Sequence, residues 1–245
     1  MIKILVTGFG GFPGAHHNPS LTLLTLLPRK RARLARLGIA LELRALPVVY
    51  AGLGPRLAQL AAELRPDAIL HFGLAGRRKI ISLETRARNR VNPLHPDAHG
   101  ARPRDLAVLP GAPHIVPTRL PTRQILSAWR RAGIASGLSN DAGDYLCNAT
   151  LYHSLVAQSD ATCVGFIHIP HPRRHASRPS QPGRKPPRLT DIGVAAEMAL
   201  VIIATAARQK ARLRKAACQP RSDAGADLSC TGTCVTIRSA PGFSP

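Results

Sequence analysis

Acidic and aromatic side chains are both scarce in this 245-residue chain: 13 Asp and Glu stand against 34 Lys and Arg, and Phe, Trp and Tyr make up 4%. The acid deficit leaves a net charge of +21, which attracts polyanions in a salt-dependent way. No finger spacing, RNP-like strand or aromatic stacking platform accompanies that charge, so dedicated nucleic-acid recognition lacks its usual chemistry. Long apolar runs are missing as well. The longest, Val194 to Ala207, is interrupted by Glu197 and falls short of the roughly 18–20 residues a membrane span needs. The apolar start, Met1 to Val6, is too short for a secretory signal. Five cysteines, an odd number in a long chain, do not form a disulfide framework and read as reduced cytoplasmic thiols.

What is present suits a globular domain. Hydrophobic residues make up 44%, and a chain of this length can bury about 70% of its unfolded surface without a disulfide or zinc staple. Basic residues cluster in Arg29–Arg36, Arg77–Lys79, Arg173–Arg188 and Arg208–Lys215. Apolar β-rich runs alternate with helical spacing. Strands are expected at Ile2–Thr7, Leu41–Val49, Ala68–Phe72, Ile134–Leu138 and Cys163–Ile169. Helices are expected from Ser20 through Arg36, then at Leu53–Leu64, Ile125–Ala132, Tyr145–Ala157 and Asp191–Ala207, with Asp191 as an N-cap. Alternation with continuous apolar strands predicts a single α/β domain over residues 1–207, a mainly parallel twisted sheet with helices on both faces. Ligands in such folds sit where loops leave the carboxyl ends of strands. The Pro/Arg/Ser-rich stretch 170–187 reads as a basic surface loop. Residues 208–245, basic and then Gly/Ser/Cys-rich, read as a disordered tail.

Three segments carry chemistry. In Ile134-Ala-Ser-Gly-Leu-Ser-Asn-Asp-Ala-Gly-Asp-Tyr-Leu-Cys-Asn148 an apolar strand leads through a small polar turn to Cys147. A cysteine in the first turn of a helix faces unpaired N–H groups and the positive helix end, which favour thiolate and can hold an oxyanion; the bland alternative is a small buried apolar residue. His168 in Val164-Gly-Phe-Ile-His-Ile-Pro170 ends an apolar strand, where an imidazole can act as general base or as an ordinary half-buried histidine. Glu84 in Ile81-Ser-Leu-Glu-Thr-Arg-Ala-Arg-Asn89 can orient an imidazole, or can pair at the surface with Arg86 or Arg88.

Together with Leu5-Val-Thr-Gly-Phe-Gly-Gly-Phe-Pro-Gly14 and Asn18-Pro-Ser20, these segments resemble the pyroglutamyl-peptidase I family of cysteine peptidases. Position by position, the resemblance puts the nucleophile at Cys147, its histidine at His168 and the acidic partner at Glu84. It implies that Phe9 and Phe12 close over the substrate's lactam ring, although both can also be hydrophobic plugs. It aligns Asn18 with a family asparagine that fixes the loop or helix start. The implied activity is removal of an N-terminal pyroglutamyl residue from small peptides through a thioester, with no metal or organic cofactor. Family members are often oligomeric, so the resemblance leaves a homo-oligomer open, while the absence of a spanning apolar run predicts no membrane association.

Departures from the family pattern accompany the likeness. Thr85 and Arg86 stand where a basic and then an aliphatic residue are expected, and Leu94 stands where many members carry an arginine near the oxyanion. Arg86 or Arg90 are the candidates to replace that charge. One alternative is a related α/β hydrolase or phosphorylase-like enzyme acting on another small substrate. The other is a catalytically weak relative whose basic surface binds polyanions. The glycines Gly8, Gly10, Gly11 and Gly14 match no phosphate-loop pattern. Cys218, Cys230 and Cys234 have loose spacing for a metal site and read as tail thiols.

Overall fold

The first apolar run forms β1 (Ile2–Phe9), in which every residue except Lys3 is buried. Such burial marks an interior strand. Accordingly β1 pairs in parallel with β2 (Ile39–Leu46) on one side and β3 (Ala68–Leu74) on the other. The computed structural model describes residues 1–12, 15–173 and 186–218. The six-stranded sheet has the order β2-β1-β3-β8-β4-β7, with β8 (Cys163–Ile169), β4 (Ile81–Glu84) and β7 (Ser136–Ser139). All pairings are parallel except β4 with β8, where Ser82 lies opposite His168. The expected mainly parallel sheet is therefore present, except that β4 and its parallel neighbour β7 run opposite to the other four strands; of these two, β4 has no counterpart among the expected strands. β5 (Arg86–Arg88) and β6 (Ile115–Pro117) form a small antiparallel pair beside it.

Strand alternation sends side chains to two cores. On one face Ile4, Val6, Leu70, Phe72 and Ile167 meet α1 (Pro19–Leu26), α4 (Thr122–Arg131) and α6 (Leu189–Cys218). On the other, Leu5, Ile69, Val164 and Phe166 meet α3 (Leu53–Leu64) and α5 (Leu146–Ala157). Helices thus cover both faces.

Two elements depart from expectation. The first helix is broken: α1 gives way to a tight turn over Leu27–Lys30 before α2 (Arg31–Arg36). Pro28 lies at that break, where its missing N–H cannot continue the ladder. The last helix runs to Cys218, eleven residues past the expected boundary at 207, and residues 219–245 lie outside the described part. Arg208 fastens the extension by donating to the Leu37 and Gly38 carbonyls. Asp191 lies inside the first turn, and its carboxylate accepts from the Arg188 N–H at 2.8 Å. By length and composition α6 could cross a membrane, yet Ile192, Ala199, Leu200 and Ile203 are buried in the core.

A polar bridge ties α5 to the sheet. His71 of β3, fully buried, hydrogen-bonds Thr7 Oγ1 through Nδ1 at 2.7 Å and Ser154 Oγ through Nε2 at 2.9 Å. Burial pushes the imidazole from its usual 6.5 down to about 3. The unfolded chain therefore binds a proton here that the folded chain refuses, so stability falls as pH drops from 6.5 toward 3. The slope from this one group is at most about 1.4 kcal/mol per pH unit. Urea-unfolding free energies of wild type should decline more steeply over that range than those of His71→Asn; parallel declines would remove His71 from the account.

Candidate active site

The polar turn before α5 ends at Tyr145, an extended N-cap residue, and no side chain caps the helix. Cys147 is the second helical residue, so the first-turn amides flank its sulfur. Asn148, fully buried, holds this helix start in place. Its Oδ1 accepts from Arg88 N–H at 2.9 Å, and its Nδ2 donates to the Arg88 and Arg90 carbonyls at 2.7 and 2.9 Å. Those bonds pin α5 to β5.

The sulfur occupies space left by a missing side chain. A Cβ on Gly73 would stand 2.8 Å from Cys147 Sγ and 2.7 Å from Phe166 Cζ, both closer than real contacts allow. Gly73 is the penultimate residue of β3 and the register partner of His168 on β8, about 4.8 Å away across the ladder. The His168 ring lies 4.6 Å from that of Phe166, centroid to centroid. Thiol and imidazole thus share the α5 face of the sheet at the level of Gly73.

Behind the imidazole is a carboxylate with no solvent exposure. His168 Nδ1 donates to Glu84 Oε1 at 2.7 Å, which leaves Nε2 free to exchange a proton. Glu84 pairs with neither Arg86 nor Arg88. Its cation is Arg78, whose Nη1 donates to the same Oε1 at 2.6 Å. Arg78 Nη2 donates to Ser139 Oγ and to the Asp141 carbonyl at 3.1 and 2.7 Å.

These contacts set the charges. Burial alone would raise Glu84, but the hydrogen bond and charge of His168, together with Arg78, hold it below its usual value. Burial lowers His168 against the opposing pull of Glu84. Burial, reinforced by the Glu84 charge, pushes the Cys147 thiol up to about 12, and Arg78 only partly offsets this. The expectation of a resting thiolate is therefore corrected: desolvation outweighs the helix end. In the resting site both thiol and imidazole are neutral.

The remaining expected residues divide by depth. Phe9 is buried in the core that includes Leu46 and Val48, and its N–H donates to Ser20 Oγ. Phe12, half-buried, faces Tyr145 at 6.5 Å, and Tyr50 meets the same ring edge-on at 5.7 Å. Asn18 caps α1, with Oδ1 accepting from Ser20 and Nδ2 donating to the Gly10 carbonyl. Leu94 is 73% exposed. Arg86 donates to the Asn140 carbonyl and Arg90 lies 3.8 Å from Asp141, whereas the cation acting on the Cys147 sulfur is Arg78. Arg78, Asn148 and Tyr50 had no assigned role in the sequence reading. Arg78 was hidden in the run Arg77-Arg78-Lys79, where only three-dimensional contacts distinguish one cation from its neighbours. Among the described residues no cluster of three His, Cys, Asp or Glu could hold a metal ion; Cys230 and Cys234 lie outside them.

Comparison with known proteins gives the family. The family described as pyroglutamyl peptidase matches residues 2–209. The chain belongs to that family. It is 37% identical over 172 residues to the pyrrolidone-carboxylate peptidase of Thermococcus onnurineus, covering 69% of this chain and 84% of that protein. The Pyrococcus furiosus enzyme of the same name is 34% identical over 209 residues, covering 81% and 98%. The pyrrolidone carboxyl peptidase structure from Thermus thermophilus superposes with a TM-score of 0.71 at 39% identity, over 81% of this chain and 99% of that one. Pyroglutamyl peptidase I of Bacillus amyloliquefaciens gives 0.73 at 28% identity, over 84% and 98%.

The Gly73 contact makes a direct test. Gly73→Ala should displace Sγ and the Phe166 ring together, costing about 1–3 kcal/mol in stability. Turnover should fall by about a hundredfold, the scale expected from misplacing a reacting group by an ångström. Wild-type turnover in a folded Gly73→Ala protein would contradict this placement of the sulfur.

Proposed function

We propose that this chain is a cysteine exopeptidase that releases an N-terminal pyroglutamyl residue from peptides, with Cys147 as nucleophile, His168 as base and acid, and Glu84 as the orienting carboxylate. One observation carries the reading: a thiol at an uncapped helix start and an imidazole backed by a buried carboxylate share one face of the sheet. Family membership supports the substrate class. The reactive unit is the single α/β domain within residues 2–209, and its thiol suits a reducing, cytoplasmic setting.

Because both partners rest neutral, charge appears only during attack. His168 Nε2 takes the thiol proton as Sγ bonds to the pyroglutamyl carbonyl carbon. Glu84 stabilises the imidazolium at Nδ1, and the first-turn amides of α5 stabilise the oxyanion. Collapse breaks the C–N bond, His168 returns its proton to the leaving amine, and the acyl group remains as a thioester. Water, deprotonated by His168, then hydrolyses it. Phe12 and Tyr145 offer flat apolar walls for the lactam ring, with Phe9 beneath. Cys147→Ala should abolish release of the fluorophore from a pyroglutamyl amide while leaving the far-ultraviolet spectrum unchanged. Persistent turnover in that variant would defeat the assignment.

We further propose polyanion adsorption on one basic face, independent of the peptidase site. Arg29–Arg36 and Arg208–Lys215 contain ten basic residues and no acidic one. Lys30 and Arg33 flank Glu197 of α6, while Arg208 reaches the end of α2, so the two segments lie side by side. Binding of labelled single-stranded RNA should weaken steeply with salt, and Arg29→Glu with Arg33→Glu and Arg36→Glu should weaken it further. Equal binding by the triple variant would refute a localised face.

A further inference from the structure

A single guanidinium stands between the sheet and the loop that delivers Cys147. Arg78 lies in the turn after β3, anchored by its own N–H on the Ala75 carbonyl at 2.9 Å. Its Nη1 holds Glu84 at the end of β4, and its Nη2 holds Ser139 at the end of β7 and Asp141 in the turn leading to α5. The side chain thus fastens the carboxylate to the nucleophile's approach loop. His168 and Arg78 both address Oε1, at 2.7 and 2.6 Å, whereas Oε2 is buried with no partner among the described residues.

We propose that Arg78 is a positioning residue of the peptidase, locking Glu84 in the orientation that presents His168 while fixing the Ser139–Asp141 turn ahead of Cys147. The inference rests on the peptidase reading above. Two features separate Arg78 from an ordinary surface cation: its anionic partner has no solvent exposure, and it satisfies three acceptors, on β4, on β7 and in the turn before α5. A lysine cannot reproduce that planar fork. The positions where the family likeness would supply cations are uncharged here, at Thr85 and at exposed Leu94.

The charged and titratable groups facing His168 are Glu84 from β4, Arg78 from the preceding turn and Cys147 from α5; Ser82 is its uncharged register partner. The Arg78 charge opposes protonation of His168 and favours the thiolate. Removing it raises the pH at which His168 takes up a proton, so the acid limb of kcat/KM moves upward in pH. A residue that merely braced the loop would lower turnover without moving that limb.

The experiment compares wild type, Arg78→Ala and Arg78→Lys on a pyroglutamyl amide across pH, alongside an NMR titration of the His168 ring. In Arg78→Ala, kcat should drop by about tenfold to a hundredfold with KM changing less. The acid limb and the NMR midpoint should rise together, and added guanidinium ion should restore part of the rate. Arg78→Lys should retain the acid limb better than the rate, because it keeps the charge and loses the fork. Turnover of Arg78→Ala within twofold of wild type, or a lowered rate with an unmoved His168 titration, would overturn the proposal. Should Arg78→Ala not fold, Arg78→Lys is decided on the same two measurements, overturning the proposal if its rate matches wild type. A wild type without any turnover would sink the peptidase reading instead. The His168 titration would then decide on Arg78 alone, and coincident curves in wild type and the folded variants would overturn it.

Discussion

Withdrawing a carboxylate from water costs several kcal/mol unless cations and donors meet it. Glu84 has no solvent exposure, so the surroundings must supply that compensation, and the local architecture follows from this need. Reversed β4 sets Ser82 opposite His168 and carries Glu84 inward from the sheet rim, on the same pleat face. The turn after β3 returns Arg78 to the same oxygen from the other side. One carboxylate therefore fixes the relation of β4, β8 and the loop before α5.

The second constraint is steric. The sulfur, the Phe166 ring and the end of β3 meet at Gly73 in a space too small for a methyl group. Close packing there gives the half-buried thiol a defined position but also takes much of its surface out of water. The resulting desolvation keeps the resting thiol neutral despite the helix end beneath it. Position is obtained at the expense of ionisation, and proton transfer is deferred to the moment of attack, when imidazolium and oxyanion appear together beside groups already oriented for them.

Much of this was legible from local pattern. The bounds of α3 and β8 coincide with the apolar periodicity at Leu53–Leu64 and Cys163–Ile169. The cysteine at a helix start and the histidine in a terminal strand position could be placed because capping and alternation are short-range effects. Other features were not legible. Four residues at Ile81–Glu84 gave too short a signal to identify a strand, let alone one running against its neighbour. Pro28 stands inside an apolar pattern of helical spacing that does not reveal the break its missing N–H causes. The helix end at Cys218 lay within a basic stretch whose composition resembles a tail.

Sequence alone determined which side chains could do chemistry and on what kind of element each would stand, since residue identity, periodicity and capping act within a few positions. Tertiary structure alone decided which groups meet. It selected Arg78 rather than Arg86 or Arg88 as the cation on Glu84, sent Phe9 into the core while leaving Phe12 beside Tyr145, and set the protonation of Cys147. Those outcomes depend on strand direction, register and exclusion of water, which join residues as distant as Glu84 and His168 and leave no mark on the chain between them.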